Sequence, residues 1–177
     1  GTSIIGGGAG ATVNNNGQEF IIRTEGATDV LQIDVPIAGN GQLNKGGSGQ
    51  LVLTAANTYA GSTLVTNGSI LVTGNGVLGT AGGGGELRIS TVAGQAASVT
   101  IDSATASILN GTGASSLRIG EVGPGTLTQS AGTVTASNYL VLGESLGATG
   151  TYTMSGGTLN VKTNNRSEEH TSELQSR

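Results

Sequence analysis

One twelve-residue pattern recurs in this chain. Gly125–Ala136 reads GTLTQSAGTVTA, and 25 positions later Gly150–Val161 reads GTYTMSGGTLNV. Thr126 matches Thr151, Thr128 matches Thr153, Ser130 matches Ser155, Gly132 matches Gly157 and Thr133 matches Thr158. Self-similarity at a period of about 20–50 residues marks stacked supersecondary units, each burying an apolar face against the next. Leu117 and Ile119 likewise recur as Leu140 and Leu142, an offset of 23.

The local pattern says what is being stacked. Leu31, Ile33 and Val35 alternate with other residues, as do Leu51 and Leu53, Ile70 and Val72, and Leu87 and Ile89. The same spacing returns at Val99 and Ile101, Leu117 and Ile119, Leu140 and Leu142, and Leu159 and Val161. Period-two runs bounded by Gly, Asn, Ser or Thr are strands, and no stretch before residue 166 shows helical periodicity. Short strands at a repeat of ~24 predict an all-β solenoid, a parallel β-helix of roughly seven coils. Inward Leu, Ile and Val would stack in columns, with Thr, Ser and Asn outward. Asn67-Gly68 is the pair that closes a type I′ hairpin, whereas in a solenoid it turns a corner. Pro36 lacks a ladder donor and is expected at a corner or strand end.

Composition makes a folded reading necessary. Gly, Pro, Ser and Gln supply 59 of 177 residues, which without periodicity would indicate disorder. Only 10% of residues are charged and 35% are hydrophobic, so there is apolar surface to bury and little self-repulsion. A net charge of -4 with scattered basic residues (Arg23, Lys45, Arg88, Arg118, Lys162) argues against nucleic acid as a partner. The absence of Cys excludes disulfides, thiolate metal sites and cysteine nucleophiles. No apolar run approaches the ~18 residues of a transmembrane helix. A start at Gly1 rather than Met predicts a natural N-terminus further upstream.

The last twelve residues, RSEEHTSELQSR (Arg166–Arg177), hold five of the chain's eighteen charges, its single His170 and no Gly. The string resembles a translated sequencing-library adapter. The expected organisation is one β-helical domain over 1–165, open at both ends, and a non-native, disordered tail over 166–177. Setting His170 aside removes every histidine-dependent triad or metal site.

From Ile37 to Gly79 the chain reads IAGNGQLNKGGSGQLVLTAANTYAGSTLVTNGSILVTGNGVLG. Leu43-Asn44-Lys45-Gly46, Gly49–Leu53, Ala56-Asn57-Thr58-Tyr59-Ala60-Gly61 and Asn67–Val72 resemble the autotransporter-associated β-strand repeat of type V secretion passengers. Leu117–Val161 resembles a related repeat associated with type V secretion and PEP-CTERM proteins. The resemblance implies a right-handed β-helical passenger displayed outside the cell at the outer membrane. It also implies a translocating barrel or surface anchor elsewhere in the same polypeptide, and it brings no catalytic residue. Residues 1–36 and 80–116 rest on periodicity alone.

Candidate chemistry is sparse. Gly6-x-Gly8-x-x-Ala11 fits a dinucleotide fingerprint, but Thr12–Gly17 cannot continue as the helix it needs. Glu121 and Glu144 each follow an apolar-x-apolar-Gly run and occupy equivalent places in successive coils, ~5 Å apart by strand spacing. That is near the carboxyl separation of retaining glycosidases. As corner residues facing water they are ordinary turn residues; a weak cation site and an acid pair are the alternatives. With four aromatic residues (Phe20, Tyr59, Tyr139, Tyr152) and no Trp, a sugar-stacking platform is poorly supplied, and Tyr59 and Tyr152 are expected to pack at flanks or corners. The expected function is a non-enzymatic stalk or spacer for adhesion, without cofactor or metal. A polysaccharide-acting enzyme would need Asp, Glu, Lys or Arg clustered on one flank over three or more coils. A third reading is an adhesin whose flank binds host or matrix glycans or proteins. Unpaired coil ends predict end-to-end self-association.

Overall fold

Parallel pairing runs through the whole molecule. The computed structural model describes residues 1–79, 85–110 and 115–162; the tail with His170 lies outside them. The chain winds through three faces in turn. The first windings are β1 (Thr2–Ile5), β2 (Val13–Asn14) and β3 (Phe20–Arg23), then β4 (Val30–Ile33), β5 (Ile37–Ala38) and β6 (Leu43–Gly46). Next come β7 (Gln50–Leu53) and β8 (Thr63–Val65), then β9 (Gly68–Val72), β10 (Val77–Gly79) and β11 (Leu87–Ile89). The stack continues with β12 (Ala97–Ile101), β13 (Ser107–Asn110), β14 (Leu117–Ile119), β15 (Pro124–Gln129), β16 (Thr133–Ala136) and β17 (Leu140–Leu142), and closes with β18 (Thr149–Met154) and β19 (Thr158–Val161).

Every third strand joins the same sheet, except that β7 pairs with β9 and β6 with β8, because no strand forms between β7 and β8. One face is β1-β4-β7-β9-β12-β15-β18, another β3-β6-β8-β11-β14-β17, and the third holds β2-β5 and β10-β13-β16-β19. All pairs are parallel, which makes the fold a parallel β-helix. The 25-residue repeat is the β15–β18 register, with Thr126 facing Thr151 and Thr128 facing Thr153. The period is not uniform. Thr2, Val30, Gln50, Ser69, Ser98, Thr126 and Thr151 lie in register, at successive offsets of 28, 20, 19, 29, 28 and 25. Corners of different length account for the spread.

Like side chains form the expected columns. Leu31, Leu51, Ile70, Val99 and Leu127 line up beside Ile33, Leu53, Val72 and Ile101. On the second face Leu43, Thr63, Leu87 and Leu117 run beside Val65, Ile89 and Ile119. One buried apolar cluster extends from Ile22 to Ala136. Pro36 lies between β4 and β5, outside any strand, where its carbonyl accepts the Val13 N–H. Asn67-Gly68 turns a corner from β8 into β9, and Gly68 takes a φ of 71° that a side chain would strain. After Ala11 the chain enters β2, so the Gly6-Gly8-Ala11 run opens no helix.

Candidate functional site

The two predicted carboxylates sit one winding apart, as their spacing requires. Gly143 N–H donates to Ile119 O at 2.9 Å, Glu144 N–H to Gly120 O at 3.0 Å and Ser145 N–H to Glu121 O at 3.0 Å, so the β14–β17 register carries on into the corner. Their side chains do not turn to each other. Each reaches back to an arginine on the preceding winding. Arg88 Nε donates to Glu121 Oε2 at 2.8 Å while its Nη2 bonds Oε1, a two-armed pair. Arg118 Nη1 bonds Glu144 Oε1, and its Nη2 lies 3.4 Å from Glu86 Oε1.

Five charges therefore gather on one flank, where the linear sequence showed only two. Arg88 and Arg118 look scattered along the chain, yet they are direct register partners in β11 and β14. Their like charges on adjacent strands repel, and Glu86, Glu121 and Glu144 interleave to offset that. The bond to Glu121 raises the Arg88 pKa, and the bond to Glu144 does the same for Arg118. An Asp/Glu/Arg cluster over several windings is what a β-helical hydrolase would require. Here, though, each carboxylate is held by a guanidinium, and a general acid needs a carboxyl available to hand over a proton. Glu121 is the most deeply placed of the three, at 8% exposure. Glu121→Gln is expected to lower stability by about 1–2 kcal/mol, because a charge-assisted two-armed bond becomes a neutral one beside two arginines. Urea unfolding of the single variants and of Glu121→Gln/Arg88→Met measures this; a double variant that loses the full sum of the singles would mean the pair does not couple.

Polar groups also lie inside the stack. Lys45 follows Leu43 on the inward side of β6 and is fully buried, in the column that runs Ile22, Lys45, Val65, Ile89. Its ammonium donates to Gly46 O at 2.8 Å, Gly47 O at 2.9 Å and Asn67 O at 3.4 Å. Burial pulls its pKa down to about 8, against a smaller upward pull from Glu25. The unfolded chain therefore holds this proton more tightly than the folded one between pH ~8 and ~10.5, so stability rises with pH across that window. The rise is expected to reach on the order of 2–3 kcal/mol. Chemical denaturation at pH 7.5 and 9.5 checks it, and Lys45→Met should abolish the difference.

Gln129 replaces an aliphatic residue between Ile101 and Met154, and its amide donates to Gly132 O at 3.0 Å and Thr158 O at 3.1 Å. The half-buried Tyr152 hydroxyl donates to its Oε1. Tyr59 is not at the flank: it is fully buried, with its hydroxyl bonded to Thr63 Oγ1 at 2.5 Å and accepting Gly79 N–H at 3.3 Å. Burial pushes its pKa up to about 12.

The segment carrying Tyr59 is the third face's exception. Between β7 and β8 no strand forms; an isolated bridge, Ala56 to Val77, marks the place. Asn57 completes the ladder there. Its Oδ1 accepts Ile37 N–H at 2.8 Å from the winding before, and its Nδ2 donates to Val77 O at 2.7 Å on the winding after. A side-chain amide thus stands in for a backbone peptide group. Among the described residues no three His, Cys, Asp or Glu side chains gather in a metal-binding group, and no helix is long and apolar enough to cross a membrane.

A family match falls on this segment. Residues 43–72, from β6 through β9, match the Passenger-associated-transport-repeat family. The "Adhesin BmaC autotransporter" of Brucella suis biovar 1 (strain 1330) is 41% identical over 58 residues, 33% of this chain. The chain covers 2% of that protein's length. No solved structure matches. The stretch from Leu43 to Val72 is an autotransporter passenger repeat.

Proposed function

We propose that this chain is a length of surface-exposed autotransporter passenger that acts as a non-enzymatic stalk, spacing an adhesive region from the cell. The observation that supports it most is where the polar groups go. Asn57, Lys45, Gln129 and the Arg88, Arg118 and Glu121 side chains all bond between neighbouring windings or close a corner, which is what a load-bearing spacer needs. The proposed unit runs over 1–165, wound right-handed as parallel crossovers nearly always are, with 166–177 foreign to it. Seven strands on the longest face give a rise of ~29 Å at ~4.8 Å per step. A translocating barrel on the same polypeptide and an extracellular location at the outer membrane belong to this reading.

The test is a display experiment. Residues 1–165 are exported between an adhesive tip of known ligand and an outer-membrane barrel, and attachment through the tip is measured with and without them. Attachment that depends on the segment supports the spacer; attachment indifferent to it overturns that role. Turnover of polysaccharide by the segment, abolished in Glu121→Gln/Glu144→Gln, would favour the enzyme instead.

The end windings present apolar column ends: Ile5 at one end, and Leu142, Met154 and Val161 at the other, each between 37% and 50% exposed. An unpaired edge with such residues is a template for another strand. The isolated chain is expected to associate end to end, and Met154→Arg to shift its sedimentation towards monomer. A chain that stays monomeric at all concentrations would count against this.

A further inference from the structure

Corner length varies sharply along one edge of the stack, the edge where the second face passes into the longest one. The turn after β3 has six residues (24–29), the next two have three (47–49) and two (66–67), and the one after β11 has seven (90–96). Two short corners flanked by two long ones leave a groove of about 380 Å³. Its floor is Gly47, Ser48, Thr66 and Asn67. Arg23 and Glu25 form one wall, Val92 and Gln95 the other.

The chemistry of this groove is polar and unevenly charged. Ser48 Oγ donates to Glu25 O at 2.6 Å and Thr66 Oγ1 to Lys45 O at 2.9 Å, so each hydroxyl has spent its proton and keeps its capacity to accept. The Asn67 Nδ2 and the Gln95 side-chain amide have no partner among the described residues. Arg23 binds Glu25 through Nε alone, at 2.6 Å, which leaves both terminal nitrogens without a carboxylate. Arg23 and Glu25 cancel. The charge left over is that of Lys45, which lies directly under the floor, bonded to Gly47 O and Asn67 O, with no carboxylate paired to it among the described residues.

We infer that this corner groove binds one or two rings of a carboxylate-bearing saccharide. A volume of this size accepts a small ligand, and paired donors and acceptors suit ring hydroxyls. The lining has no aromatic ring to stack on a sugar, so net affinity has to come from charge-assisted bonds, which are about twice as strong as neutral ones. Arg23 supplies these at the wall, and the Lys45 charge favours an anion over the floor. The chain's acidic total does not oppose this, since exposed charges beyond ~8–10 Å are largely screened. The inference goes beyond the spacer role, and its failure leaves that role standing, because the display experiment reads only the tip.

The test uses the full chain with oligogalacturonate and, as the neutral counterpart, the same oligomer fully methyl-esterified. Calorimetry is expected to show the acid binding at least tenfold more tightly than the ester, with about tenfold loss in Arg23→Gln and no change in Lys162→Gln. The side-chain NH₂ signals of Asn67 and Gln95 should move on titration in nitrogen-15 NMR. Equal binding of acid and ester, equal losses in the two variants, still amide signals or no binding at all would each overturn it. Arg23 is largely exposed, so its replacement leaves the stack intact.

Discussion

Gly61→Ala is expected to destabilise the chain by about 4 kcal/mol or more, in the range that singles out a specific steric cause. A Cβ at Gly61 would stand 2.5 Å from both C and O of Gly41 and 2.6 Å from the nitrogen of Gln42. Those atoms are backbone on the previous winding, so no side chain can swing aside. The column continues in both directions: a Cβ on Gly41 would lie 1.7 Å from Gln18 O, and one on Gly85 would lie 2.3 Å from Gly61 O. At this corner the Cα–H bond points along the stack, where successive chains are only ~4.8 Å apart. An added methyl must push two windings apart and stretch ladder bonds on either side. Gly8 is the control, since a Cβ there meets nothing within 4 Å; Gly8→Ala should change stability by less than about 0.5 kcal/mol. Thermal or urea unfolding of the two variants measures the difference. A Gly61→Ala loss below about 1 kcal/mol would mean the windings yield far more easily than close packing allows.

That glycine column illustrates which parts of the molecule can be read from the chain. The apolar columns were legible, because strand alternation and stacking impose the same residue type at Leu31, Leu51, Ile70 and Val99 whatever the offset between them. The ion-pair flank was not. Arg88 meets Glu121 at a separation of 33, while Arg118 meets Glu144 at 26, and a repeat taken as ~24 aligns neither pair. Corner lengths set these offsets, and corners are where sequence patterning is weakest. Lys45 escaped for another reason. Alternation from Leu43 points it inward, but its charge argues for solvent, and only the carbonyls converging from Gly46, Gly47 and Asn67 make burial tolerable. The groove over that ammonium was invisible too, since it exists through the contrast between long and short corners on neighbouring windings.

The second large effect belongs to Asn57, and it tests whether a side chain can serve as ladder backbone. Asn57→Ala removes the acceptor for Ile37 N–H and the donor for Val77 O together. The Ile37 side of the site is closed to solvent and the Val77 side partly so: Asn57 is 3% exposed, Ile37 fully buried and Val77 half-buried. Each orphaned buried group costs about 1–3 kcal/mol, so the expected loss is on the order of 4 kcal/mol. Amide exchange at Ile37 should accelerate more than exchange at Ile70, whose ladder is made by backbone on both sides. Asn57→Asp separates the two bonds. An ionised carboxylate still accepts from Ile37 but faces the Val77 carbonyl with no proton to give, so burial and the lost bond raise its folded-state pKa. A carboxyl raised in this way stabilises only while protonated; the aspartate variant should therefore approach the parent near pH 4 and fall away as pH rises towards 7. Asn57→Ala should show no such recovery. Equal pH profiles for the two variants, or an Ile37 amide that keeps its protection in Asn57→Ala, would mean that the Ile37 N–H and the Val77 carbonyl do not depend on this side chain.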